Sequence, residues 1–138
     1  MKIDKFEDIE AWKEARLLVN EIYNYFRNIK DYGFKDQIQR SSLSIMSNIA
    51  EGFDRSSNKE FIQFLVIARG SVSEVKSLSY AALDIGYIDE KVFNKILERC
   101  FKLTNLINGF IRYLKTTNKK KYDLIHVLGS NHFRIGNS

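Results

Sequence analysis

Apolar residues recur at alternating three- and four-residue steps in four separate windows of this chain, and no proline interrupts any of them. Steps of three and four follow one side of an α-helix, whereas a strand would need strict alternation. The first window runs through Ile9, Trp12, Ala15/Arg16, Val19, Ile22/Tyr23 and Phe26 and ends near Asn28. Its aliphatic and aromatic members face a core, and Arg16 packs its stem at the edge with its head in water. The second, from about Phe34 to Phe53, carries Ile38, Ser42, Ile45, Ile49 and Gly52. The third, from about Asn58 to Ile85, carries Phe61, Leu65, Ala68, Val72, Val75 and Ala82, with Phe64 and Leu78 at its edge. The fourth carries Val92, Ile96, Cys100, Leu103, Ile107, Phe110 and Leu114.

The punctuation between the windows is short. Asp4-Lys5-Phe6-Glu7 is placed to cap the first helix, and Asp31-Tyr32-Gly33 is a turn that favours an antiparallel neighbour. Ser57-Asn58-Lys59-Glu60 is a capping box, Gly86 a C-terminal stop and Asp89 an N-cap. The expected fold is therefore all-α: an up-down-up-down antiparallel four-helix bundle over residues 1–115. A short, irregular, basic C-terminal tail follows over residues 116–138. At 138 residues the chain is one domain with room for a single sizeable core.

The second helix has an unusual flank. Ser41, Ser44, Ser47, Asn48 and Glu51 make it small and polar where a solvated face would be long and charged. Small side chains let another backbone approach closely. Asn48 and Glu51 are expected to make buried or interfacial hydrogen bonds. Arg40 and Glu51 share a side but stand roughly 16 Å apart along the axis. Each needs a partner on another helix, on another subunit, or in solvent. On the fourth helix Leu97 and Phe101 fall outside the core stripe, and a subunit contact is the expected place for them.

Chemistry is scarce. The two histidines, His126 and His132, lie in the tail, and Asp123-x-x-His126 has no second half, so no metal site is expected. No histidine stands on a helix neighbouring the serines of the second helix, and there is no glycine-rich phosphate loop. Cys100 sits within an apolar stripe as a small core residue and cannot form an internal disulfide. Neither a catalytic centre nor a cofactor is expected. With no signal-like N-terminus and no apolar run long enough to cross a bilayer, a cytoplasmic setting and no membrane association are expected.

Charge says more. Residues 91–138 hold ten Lys/Arg against two Asp/Glu, whereas the rest of the chain is slightly acidic. Lys91, Lys95, Arg99 and Lys102 fall within about 80° of helical arc, Arg112 extends that face, and Lys119, Lys120 and Lys121 follow in the tail. Such a field suits an anionic partner, RNA or DNA. A solvated lysine-rich face is the plain alternative.

The segments SNIAEGF and KEFIQFL, with FEDIEAWKEAR near the N-terminus, resemble small bacterial four-helix-bundle proteins encoded in 23S rRNA intervening sequences. Relatives include accessory proteins of diversity-generating retroelements. The resemblance covers about residues 6 to 115. It implies a ring-like homopentamer, and among the retroelement relatives binding to nucleic acid and to a reverse transcriptase. Family members usually carry proline where this chain has Met46, which implies a straighter second helix here. The expected function is a non-enzymatic, homo-oligomeric binding protein that contacts structured RNA or another nucleic acid through its basic surface. An assembly scaffold that holds a protein partner is the other reading.

Overall fold

A computed structural model describes residues 3–117. A single 3-10 turn (Phe6–Asp8) leads into four helices: α1 (Glu10–Tyr25), α2 (Tyr32–Phe53), α3 (Asn58–Ile85) and α4 (Glu90–Lys115). Contacts across the helices establish how they pack. Phe26 meets Phe34 across the α1–α2 turn. Along α2–α3, Gln37 bonds Glu74 and Ser44 bonds Ser71, and Gly52 lies against Phe61. Along α3–α4, Asn58 reaches the carbonyls of Leu114 and Thr117, Arg69 bonds Asn108, and Tyr80 packs edge-on against Phe93. Residue numbers rise on one member of the α2–α3 and α3–α4 pairs as they fall on the other, so these neighbours run antiparallel. α1 also packs against α4, closing a four-helix bundle.

The core is the inner side of all four helices, from Leu18 and Ile22 through Ile38, Ile45 and Ile49 to Leu65, Val75, Ile96, Leu103 and Ile107. The expected α1 stripe shifts in part, and the α4 stripe widens. On α1, Ala11 and Leu18 are buried while Trp12 and Val19 are half-buried and Tyr23 is exposed. Trp12 lies at the edge, where its ring meets Phe6 and the Arg16 guanidinium stands 5.8 Å from its centre. On α4, Phe93, Ile111 and Tyr113 are buried beside the expected residues, and Val92 is half-buried.

The caps follow the residues available. Asp31 accepts from the Phe34 N–H and starts α2 two residues before Phe34. The Ser57 hydroxyl accepts from the Glu60 N–H and itself donates to the Glu60 carboxylate. Asp89 caps α4 through the Val92 N–H. Gly86 ends α3 at φ 92°, a left-handed conformation in which a side chain is strained. The N-terminus differs from expectation. Asp4-Lys5-Phe6-Glu7 caps no helix, because the 3-10 turn intervenes and α1 starts after Ile9 with no side-chain cap. That turn brings Ile3 and Ile9 into the core, which gains more than one cap bond would.

α2 passes through Met46 without a break. At its far end the chain is tightest: a Cβ built on Gly52 would lie 2.7 Å from the Phe61 ring and 2.9 Å from the Phe64 Cβ. Ser41, buried beside Glu74 of α3, returns its hydroxyl to the Gln37 carbonyl, so the α2–α3 seam stays thin without leaving that hydroxyl unpaired. We expect Gly52→Ala to cost about 1–3 kcal/mol through overpacking. The gain of roughly 1 kcal/mol in helix propensity does not cancel it. A chemical-denaturation midpoint equal to or above that of the parent would contradict this close approach.

Candidate nucleic-acid interface

The basic residues of α4 divide into two groups once α1 is in place. Arg99 and Lys102 turn toward α1. The Arg99 guanidinium binds Glu14 at 2.9 Å and Glu21 at a short charge-assisted contact, and the Lys102 ammonium binds Glu14 at 2.9 Å. The Glu14 side chain is only 6% exposed. Its burial pushes the carboxyl up, but hydrogen bonds from Lys102 and Arg99, with their charges, outweigh this and hold it below the usual carboxylate value. Arg99, also desolvated, is held above its ordinary value by the same two carboxylates.

This corrects the expected stripe. The sequence around Arg99 is poor in acids, but α1 supplies two across space. Glu14 was findable: it stands among Ala11, Ala15, Leu18 and Ile22 at core spacing, and a lone acid in a core stripe needs a cation. Lys91, Lys95, Arg112 and Lys115 make no ion pair among the described residues and are exposed. Lys119, Lys120 and Lys121 lie outside the described residues.

The residues expected at an interface are also placed. Arg40 pairs with Asp36 on its own helix at 2.8 Å, and Glu51 with Arg55 at 3.6 Å, all four side chains well exposed. Both acids were four residues away in the sequence, the spacing that brings helical side chains together. Glu51 is thus not buried within the chain. The Asn48 amide donates to the Ser44 carbonyl and hydroxyl of its own helix and reaches no neighbouring helix. Leu97 is half-buried against the core, so its off-stripe position does not leave it free. Phe101 is exposed.

Beside α2 an open groove of about 620 Å³ runs between Phe6 and Trp12 on one wall and Leu43, Met46 and Ala50 on the other. Ser44, Ser47 and Arg40 form its polar rim. Cys100 is buried, and desolvation pushes its thiol up to about 12 despite the nearby Lys76 charge, which makes it a poor nucleophile. Among the described residues no cluster of three or more His, Cys, Asp or Glu could hold a metal ion. No helix among them is long and apolar enough to cross a membrane.

Four packed helices, a charge seam at α1–α4 and an open face on α4 define a small four-helix-bundle protein. The chain belongs to the 23S rRNA-intervening sequence protein family, whose pattern it matches over residues 7–109. Its fold is similar to a crystal structure of a protein of unknown function from the S23 ribosomal protein family of Bacteroides thetaiotaomicron VPI-5482. The TM-score is 0.69 at 23% identity, covering 74% of this chain and 98% of that one. No curated protein matches significantly.

The ion cluster carries a stability expectation. Breaking it with Arg99→Ala should cost about 3 kcal/mol, the low end for a buried pair, because Arg99 keeps some contact with water. Glu14→Gln should cost about 1–3 kcal/mol at neutral pH. Glu14 has a lowered folded-state pKa, so its contribution is fully present above its ordinary value of 4.5 and is lost as pH falls through the folded value. The gap between parent and Glu14→Gln in urea melts should therefore close below about pH 4.5. A gap that stays constant with pH would exclude the charged pair as its source.

Proposed function

We propose that this chain is a non-enzymatic, homo-oligomeric binding protein that contacts structured RNA or another nucleic acid through the outer side of α4. The observation that carries the reading is the set of exposed cations on α4 (Lys91, Lys95, Arg112 and Lys115) left without ion-pair partners among the described residues. Cations not neutralised within the fold are available to phosphates, and their long stems reach a backbone without ordering the protein. The family resemblance supports the same class of ligand and a ring of five copies. It also allows a reverse transcriptase as a protein partner where a copy is encoded in a retroelement. The α1–α2 groove supports self-association, because Trp12, Leu43 and Met46 offer apolar surface rimmed by hydroxyls that a second copy can bury. That groove also favours the second reading, a scaffold that holds a protein partner and lacks nucleic-acid affinity.

Two measurements test the proposal. Light scattering of the full-length chain should give a mass near five times 16.2 kDa, and a monomer at micromolar concentration contradicts the oligomer. Fluorescence anisotropy with structured RNA and duplex DNA should show affinity that falls steeply with salt, by about 0.7–0.9 in log–log slope for each phosphate contact. Exchanging Lys91 and Lys95 for glutamine should flatten that slope, whereas Lys102→Gln should change it little because that ammonium is already paired. Absence of binding at low salt would leave the scaffold reading in its place.

A further inference from the structure

The outer surface of the α3–α4 seam differs from the rest of the molecule. On α4, Asn94, Phe101, Asn105, Asn108 and Arg112 fall within about 60° of helical arc, and Asn108 shows which way the arc faces by accepting from Arg69 of α3 at 2.9 Å. On α3, Arg69, Ser73, Lys76 and Tyr80 occupy a matching arc of about 60°, fixed against α4 by the Tyr80–Phe93 ring contact, centroids 4.8 Å apart. Lys76 lies on α3 between these two cross-helix contacts, and in the antiparallel pair that sets it at about the level of Cys100 and Phe101. Between Asn94 and Arg112 the α4 arc holds no acid; Glu90 lies on it one turn before Asn94, and Glu98 and, on α3, Asp84 stand at the edges. Phe101 is 71% exposed, more than any other large hydrophobic side chain among the described residues.

We infer that this seam binds unpaired nucleotides, with a base stacked on Phe101 and phosphates held by Lys76 and Arg112. The inference rests on the nucleic-acid reading above and specifies the form of ligand. An exposed ring flanked by cations and amides matches the stacking platforms that hold single strands. Bases in a duplex have their faces covered by their neighbours, so only an unpaired base can use the ring. The amides of Asn94 and Asn105 offer both donors and acceptors to a base edge. A second copy of the chain is a weaker occupant: two such faces would bring cations against cations, with Glu90, at the far end of the α4 arc, the one acid on it to offset them.

The test uses full-length protein, a fluorescent 20-nucleotide single-stranded RNA and a blunt duplex of the same sequence. Phe101→Ala should weaken single-strand binding roughly 5- to 150-fold, the range for one lost base stack, and leave duplex binding and oligomer mass unchanged. Phe101→Trp should restore it. Lys76→Gln and Arg112→Gln should each lower the single-strand salt slope by about 0.7. If Phe101→Ala leaves single-strand affinity intact while the cation variants weaken it, the stacking inference is overturned and the broader proposal stands. A drop in oligomer mass with Phe101→Ala assigns the ring to a subunit contact and also overturns it. If the parent protein binds neither RNA, both fall together.

Discussion

Glu14 is the one buried acid among the described residues, and the arrangement of its neighbouring charges follows from how it is satisfied. A carboxylate with so little exposure cannot remain ionised without cations, and α4 is the helix within reach that supplies them. Arg99 and Lys102 turn inward to meet it, and Glu21 completes the cluster from the same face of α1, about two turns further along. α1 and α4 have no connecting loop, so this seam relies on side chains to hold its register. An apolar pair of equal volume would seal the seam as well but would leave sliding unopposed. Removing one member leaves a buried charge without its partner, which is why the cluster is costly to break even where its net contribution is small.

The same cluster divides the basic surface. Half of the stripe that the sequence draws on α4 is consumed within the fold; of the cations left over, Lys91 and Lys95 keep to the arc of Lys102, whereas Arg112 and Lys115 lie toward the outer and α3 sides. There Arg69 and Lys76 join them from a helix whose overall charge gives no hint of a binding role. The molecule then has two distinct exposed surfaces. A groove along α1–α2, apolar with hydroxyls at its rim, suits protein. A seam along α3–α4, cationic and amide-rich with one bare ring, suits an anionic and aromatic ligand. The two surfaces lie on opposite sides of the bundle, so a partner on one would leave the other open.

Much of the fold was legible because periodicity and capping are local properties. The boundaries of α3, the left-handed Gly86 and the Asp89 cap can be read from a few consecutive residues, and all three hold. The serines and Gly52 of α2 marked a face where another backbone comes close, and the structure shows that backbone to be α3. What could not be read locally was the partner of each charge. Arg40 and Glu51 found theirs one turn away, which the sequence did spell out. Arg99 found Glu14 and Glu21 some eighty positions away, which only the closure of the bundle reveals. On α1, Trp12 and Val19 were read as core where their neighbours Ala11 and Leu18 are buried, because large edge residues mimic core residues in a periodicity count; the α4 stripe holds except that Phe93 takes the place of Val92. Phe101 was visible as an anomaly, but its surroundings were not, since they come from α3.

The central claim is that the α1–α4 cations are structural and the α3–α4 seam is the binding surface. The most direct measurement is photo-crosslinking of an RNA containing 4-thiouridine to the full-length protein, with adducts mapped by mass spectrometry. The account predicts adducts on the α4 peptide that carries Phe101 and on the α3 stretch from Arg69 to Tyr80. Adducts confined to the α1–α4 seam, around Glu14, Arg99 and Lys102, would contradict it.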